Sequence, residues 1–182
     1  RGAQGVAAAL GARVYPGAAG REIGWDRVTL TAEGRDDPLC RHLLEGEPDP
    51  PACTVFQWHG ASFDLPAGAV RLASSPKYLN QAFRLGESAY ALQFHFEVSR
   101  EMVETWVERG QNYIREGGCA TGPILAGCET RLEPLRLRGR RLVEAFAALI
   151  EARAADAAGD AAAEAATDAS TGAAPLRARR AP

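Results

Sequence analysis

The chain has 182 residues, enough for one domain with a real core, and its 21 basic and 23 acidic side chains leave a formal net charge of −2. That balance gives no electrostatic reason to expect nucleic acid or a membrane surface as a partner. No apolar run approaches the roughly 18 residues that span a bilayer.

The first residues, RGAQGVAAALGA, lack the basic-then-apolar pattern of a secretory leader. The chain does not begin with Met, which reads as a processed or fragmentary chain. Residues 3–11 (AQGVAAALG) read as a helix stopped by Gly11. RVYP (13–16) is a short extended piece, and RVTLT (27–31) is a strand. DDPLCRHLL (36–44) opens on the Asp-Pro signal of a helix start. Cys40 sits there beside Leu39, Leu43 and Leu44, so it reads as a small core hydrophobe and not as a nucleophile. EGEPDPP (45–51) is a loop, because its three prolines exclude regular structure.

CTVFQW (53–58) is a strand leading into His59-Gly60, and AVRLASS (69–75) is another. NQAFRLGESAYALQFH (80–95) reads as a hairpin turning at Gly86-Glu87-Ser88. From Leu92 to Val98 apolar and polar residues alternate, which is the period of a strand. His95 and Glu97, two apart, then share one face. Ser99 is placed to cap a helix reaching about Arg115, with Met102, Val103, Trp106, Val107, Gly110, Tyr113 and Ile114 at helical spacing. Residues 117–128 read as a glycine-rich connection and 137–153 as a second amphipathic helix. From 154 to 182 large apolar side chains are scarce, so the segment is expected to be disordered or transiently helical, with LRARR (176–180) a solvated basic run.

Cys40, Cys53, Cys119 and Cys128 form no C-x-x-C pair, and there are three histidines. Free thiols in a reducing cytoplasm and no metal site are the expectation. A strand-rich middle between helices points to an α/β protein with a hairpin in an otherwise mixed sheet. A His and a carboxylate at the C-terminal end of a strand sit where such folds place chemistry. The alternative is a polar edge pair with no task.

Three segments in order carry more than any one does: RGAQGVAAALGARVYPG at the start, FQWHGASFDLP at 56–66 and NQAFRLGESAYALQFHFEV at 80–98. Together they resemble the class I glutamine amidotransferases, and most closely the stand-alone GMP-synthase-like glutaminases, over roughly residues 1–115. RGAQ matches the last four positions of the family's G-x-C-L-G-x-Q nucleophile motif, with Arg1 where Leu is usual. His95-Phe96-Glu97 matches its H-P-E motif. EIGW (22–25) and Trp58-His59-Gly60 also fit.

The resemblance implies a flavodoxin-like α/β fold, a mixed sheet with flanking helices whose N-terminal part is missing. Residues 1–153 would be a partial amidotransferase domain and 154–182 an Ala-rich tail. It implies a Cys-His-Glu triad with His95 as base and Glu97 orienting it. The cysteine would stand one residue upstream of Arg1, whose backbone N–H would serve the oxyanion. Gln4, Trp58, Gly60 and Ala61 would hold glutamine. His59 reads as a strand-end turn residue and not as catalytic. The chemistry needs no cofactor: a thiolate attacks the amide carbon, an imidazole takes the thiol proton, and a carboxylate fixes the imidazole tautomer.

Three departures stand out. Ala61 replaces the Asp of close relatives, Phe96 replaces the usual Pro, and Gly5 lies early in the first helix. The implied activity releases ammonia from glutamine for an acceptor, expected on a separate synthase chain. This chain, without the cysteine, is expected to be inactive alone. Two other readings remain open: a γ-glutamyl hydrolase on the same fold, and a non-catalytic binding module that lost its cysteine. The residue before Arg1 separates the enzymes from the binding module.

Overall fold

Gly11, at φ +81°, takes the left-handed conformation that ends a helix, and α1 (Gly2–Ala9) stops just before it. The computed structural model describes residues 2–49 and 51–171. After α1 come β1 (Val14–Pro16), β2 (Glu22–Leu30), α2 (Ala32–Asp36), a 3-10 turn (Cys40–Leu44), β3 (Ala52–His59) and β4 (Ala61–Phe63). Then follow β5 (Ala69–Ser74), β6 (Ala82–Leu85), β7 (Ala89–Leu92), α3 (Arg100–Arg109), α4 (Gln111–Glu116) and α5 (Thr121–Thr171).

Five strands form the main sheet in the order β3-β2-β5-β6-β7, and β1 pairs with β4 in a small second sheet. Helices flank the sheet, as an α/β chain requires. The pairings among the described residues are all antiparallel, in place of the expected mixture. The β6–β7 connection shows one reason: a turn over Gly86, Glu87 and Ser88 is too short for the crossover that a parallel pair needs. Ala3 and Ala7, one helical turn apart on α1, pack with Phe63, Phe83 and Ala91 into an apolar cluster.

Several local expectations are corrected. Residues 36–44 are not one helix. Pro38 disfavours helical backbone at Asp37, which is extended (φ −67°, ψ 131°) and caps α2. The Asp37 carboxylate then accepts the N–H groups of Leu39 and Cys40, at 2.9 and 3.0 Å, and starts the 3-10 turn. α2 itself has no apolar periodicity and rests on Thr31, whose hydroxyl accepts the Gly34 N–H at 3.0 Å.

Gly34 lies so close to β5 that a Cβ there would fall 2.0 Å from the Leu72 carbonyl oxygen. Gly34→Ala should therefore destabilise the fold by about 2–3 kcal/mol, although Ala is the better helix former. The shift in urea midpoint measures it, and a stabilised variant would contradict this packing.

Strand β7 ends at Leu92, so the expected strand over 92–98 does not continue through residues 93–98. The chain leaves one edge of the sheet and reaches the opposite edge, where His95 bridges Phe56 of β3. Gln93, Phe94 and Val98 are buried and Glu97 is exposed. The alternation seen in the sequence therefore reflects a crossing segment with mixed surroundings.

The helix expected from Ser99 is two helices. Ser99 caps α3 through its hydroxyl, which accepts the Met102 N–H at 3.2 Å. Gly110 separates α3 from α4, and a Cβ there would lie 2.7 Å from the Trp58 ring.

Residues 117–128 are not all connection, because α5 starts at Thr121. Gly127, inside that helix, would drive a Cβ to 2.2 Å from the Trp25 indole. Here glycine marks close packing and not a loop. Ile124, Cys128, Leu132, Leu135 and Leu142 form the buried stripe of α5.

The chain divides into two units, residues 1–145 and 146–182. In the second, helix continues to Thr171, through most of the segment expected to be disordered or transiently helical. Alanine has the highest helix propensity, which favours this. Residues 172–182, with LRARR, lie outside the described residues. Among the described residues no helix is long and apolar enough to cross a membrane.

Candidate active site

A cavity of about 690 Å³ opens between the start of α1, the end of β3 and the segment after β7; its lining includes Gln4, Trp58, His59, Gln93, His95, Glu97 and Tyr113. The fold thus brings four of the expected site residues, Gln4, Trp58, His95 and Glu97, to one concavity.

The backbone of His95 is pinned to β3 on both sides. Its N–H donates to the Phe56 carbonyl at 2.7 Å, and its carbonyl accepts the Phe56 N–H at 3.2 Å. Its ring meets Trp106 edge-on, with centroids 4.9 Å apart. Nδ1 lies 2.6 Å from Glu97 Oε1. Burial would raise the Glu97 carboxyl, but hydrogen bonds from His95 and from the backbone N–H groups of Glu97 and Phe96 outweigh it and hold the group below its ordinary value. An ionised Glu97 can only accept, so Nδ1 presents its N–H to the carboxylate, and in the neutral ring Nε2 is then the nitrogen with the lone pair. That is the form a general base requires.

Phe96 has its own part in this. Its N–H donates to Glu97 Oε2 at 3.0 Å, a bond that proline in this position could not make. The departure from the family's motif therefore adds a donor to the acid.

Gln4 and Ala61 are joined: Gln4 Nε2 donates to the Ala61 carbonyl at 3.2 Å. Trp58 stacks on Tyr113 with centroids 5.9 Å apart and forms an aromatic wall of the cavity. Gly60 and Ala61 stand behind that lining. Gly60 is packed so tightly that a Cβ would sit 2.9 Å from Arg21 Cγ and 3.0 Å from the Tyr113 hydroxyl. Arg1, the expected oxyanion donor, lies outside the described residues.

Gln93, Tyr113 and Glu22 were missed as site residues by sequence reasoning. Gln93 Nε2 also donates to the Ala61 carbonyl, at 3.1 Å. Its place in the alternating run was a signal. Glu22 had only its membership of EIGW to mark it, and Tyr113 looked like part of a helix stripe.

Glu22 and His59 face each other across the β2–β3 ladder. Both side chains are buried, and His59 Nε2 lies 2.9 Å from Glu22 Oε2. The two groups are in close contact, although Nε2 makes no hydrogen bond. The Ser75 hydroxyl and Gln81 Nε2 also donate to Glu22, at 2.6 and 2.5 Å. Burial pushes the Glu22 carboxyl up, while His59, Ser75 and Gln81 more than offset it and hold it below its ordinary value of 4.5.

A carboxyl lowered in the folded state adds stability that is present above its unfolded value and is lost as pH falls through its folded value. Wild-type stability should thus drop as pH falls below about 4.5. Glu22→Gln should be less stable at neutral pH and lose less on acidification. Urea midpoints for both proteins across that range test it, and parallel pH profiles would contradict it.

No cysteine lines the cavity among the described residues. Burial raises the thiols of Cys40 and Cys128 and pushes that of Cys53 up to about 12, which suits core packing and not nucleophilic attack.

No family model matches the chain. It is 33% identical over 115 residues to a putative glutamine amidotransferase-like protein, YfeJ, from Salmonella typhimurium, covering 63% of this chain and 45% of that protein. It is 38% identical over 99 residues to a GMP synthase [glutamine-hydrolyzing] from Christiangramia forsetii, covering 53% of this chain and 18% of that one. The chain therefore spans less than half the length of these curated relatives.

Among solved structures, a glutamine amidotransferase from Thermotoga maritima superposes with a TM-score of 0.66 at 35% identity, covering 79% of this chain and 58% of the other. A glutamine amidotransferase from Methylobacillus flagellatus shares the fold, with a TM-score of 0.65 at 22% identity, covering 81% of this chain and 59% of the other. The α/β fold is the amidotransferase fold, and in its sequence relatives and its architecture the chain is glutamine amidotransferase-like, which supports a place among the class I enzymes.

Proposed function

We propose that this site hydrolyses the side-chain amide of glutamine. The observation that carries the reading is the His95–Glu97 contact of 2.6 Å at the wall of a cavity that also holds Gln4. In this reading a cysteine supplies the nucleophile, at the position the family motif assigns immediately before Arg1, and the Arg1 N–H binds the oxyanion. His95 Nε2 takes the thiol proton and the thiolate attacks the amide carbon. The imidazolium then protonates the departing nitrogen, which leaves as ammonia. A water, deprotonated by His95, cleaves the γ-glutamyl thioester and glutamate leaves. Gln4 and Trp58 hold the amino-acid end of the substrate, and the Gly60-Ala61 turn behind them fixes Gln4 through the Ala61 carbonyl.

We assign residues 1–153 to the amidotransferase domain and 154–182 to a tail. The ammonia acceptor is placed on a synthase, in keeping with the relative named GMP synthase. A reducing cytoplasm fits the four free cysteines.

The test compares two proteins, the 182-residue chain and the same chain with the residues encoded before Arg1. Each is given glutamine and γ-glutamyl-methylamide, and glutamate release is measured. The extended protein should turn over glutamine faster, and the shorter one should release none. Preference for the methylamide would assign a γ-glutamyl hydrolase. No release from either substrate by the extended protein would overturn the enzyme and leave a binding module.

A further inference from the structure

We infer that His59 and Glu22 form a second histidine–carboxylate pair, buried at the back wall of the cavity, which positions the Gly60-Ala61 turn and through it the two glutamines of the pocket. The inference rests on the glutaminase reading for its effect on turnover. Its structural content stands on the hydrogen bonds around one oxygen.

That oxygen is the Ala61 carbonyl. It lies 3.1 Å from His59 Nδ1, 3.2 Å from Gln4 Nε2 and 3.1 Å from Gln93 Nε2. A carbonyl only accepts, so all three partners present N–H groups to it. His59 Nδ1 is therefore protonated. Its Nε2 faces Glu22, whose carboxylate is already accepting from Ser75 and Gln81. Donors on both of its oxygens suit the ionised acid, and Nε2 lies 2.9 Å from one of them. The same oxygen sets the direction of the Gln4 and Gln93 amides, because each must turn its nitrogen, and not its oxygen, toward Ala61.

The location argues against a purely structural task. Both side chains of the pair are almost fully buried, at 6% and 0% exposure. A buried ion pair is weak as a stabiliser, and apolar residues of similar volume often serve the fold as well or better. Here the pair ends on a carbonyl shared by two residues that line the cavity, and His59 lines it too. The neighbouring Gly60 carbonyl is held separately by the Gly17 N–H at 2.8 Å. The turn is thus clamped at two successive peptide groups, one of them through the His59 ring. His59 and Glu22 are positioning residues: neither is the base, and their influence passes through Ala61, Gln4 and Gln93.

The test uses the geometry of substitution. The side-chain nitrogen of Asn can stand where Nδ1 stands, and that of Gln where Nε2 stands. In the extended protein, His59→Phe and His59→Gln should raise KM for glutamine by about tenfold, the worth of one well-placed hydrogen bond. Their kcat should change by no more than about twofold, because His95 and Glu97 are untouched. His59→Asn should restore KM to near wild type. Glu22→Gln is the second variant and should raise KM without replacing any group that borders the substrate. A purely packing role would predict the reverse order, with Phe best tolerated. Unchanged KM in His59→Phe, or equal effects of Phe and Asn, would overturn the inference.

The Ser62 amide resonance, measured in the ligand-free 182-residue chain, reports the hydrogen bonding of the Ala61 carbonyl to which it is joined. It should move in His59→Phe and Glu22→Gln and return in His59→Asn. If glutamine is not turned over at all, the glutaminase reading fails, and this resonance still decides the pair: no movement overturns it.

Discussion

His95→Ala should lower the glutaminase rate constant of the extended protein by about 10⁴-fold, because the thiol then has no base and the leaving nitrogen no acid. KM should change little, since the ring's partners are Glu97 and Trp106 and not the groups proposed to hold the substrate. Glu97→Gln should cost less. Its side chain is 50% exposed, so water can take over part of the contact with Nδ1. Phe96→Pro should resemble a mild version of Glu97→Gln, because it removes the N–H that meets Oε2. Steady-state kinetics of the three variants, with circular dichroism to show that each is folded, test the set. Undiminished kcat in His95→Ala would end the proposed mechanism.

Glu47→Ala should destabilise the protein by about 3–5 kcal/mol, because it strands a buried guanidinium. Glu47 and Arg138 pair at 2.7 Å with side chains only 4% and 5% exposed. Together they bracket β3 near its start: Glu47 Oε1 accepts the Thr54 N–H at 2.9 Å, and Arg138 donates to the Thr54 carbonyl at 2.9 Å. This ties α5 to the edge strand that also holds His95. Arg138 Nε has no hydrogen-bond partner, so the bracket carries a desolvation cost of its own. The double variant Glu47→Leu with Arg138→Met should therefore recover most of the loss, to within about 1–2 kcal/mol of wild type. A urea double-mutant cycle measures both. A single variant that costs under about 1 kcal/mol would show that the pair is solvated.

Much of the local structure was legible in the residues themselves. Ser99 caps α3, Gly11 ends α1 and Gly86 turns the hairpin, because each depends on contacts within a few positions. The family resemblance was legible for the same reason: RGAQ, EIGW, WHG and HFE are short runs read one at a time. Legibility failed where a neighbour distant in sequence decides. Gly110 and Gly127 looked like a stripe position and a loop residue, and they are glycine because Trp58 and Trp25 press against them. The run from 92 to 98 looked like a strand, and it is a crossing held to the far edge by Phe56.

By itself, then, the sequence determined that a histidine and a carboxylate stand two apart in a family that uses such a pair. Only the tertiary structure decided that a second pair, Glu22 and His59, lies behind them. Those two residues meet through the register of an antiparallel ladder. Register depends on which side chains the whole sheet can bury, and no short stretch of sequence carries that.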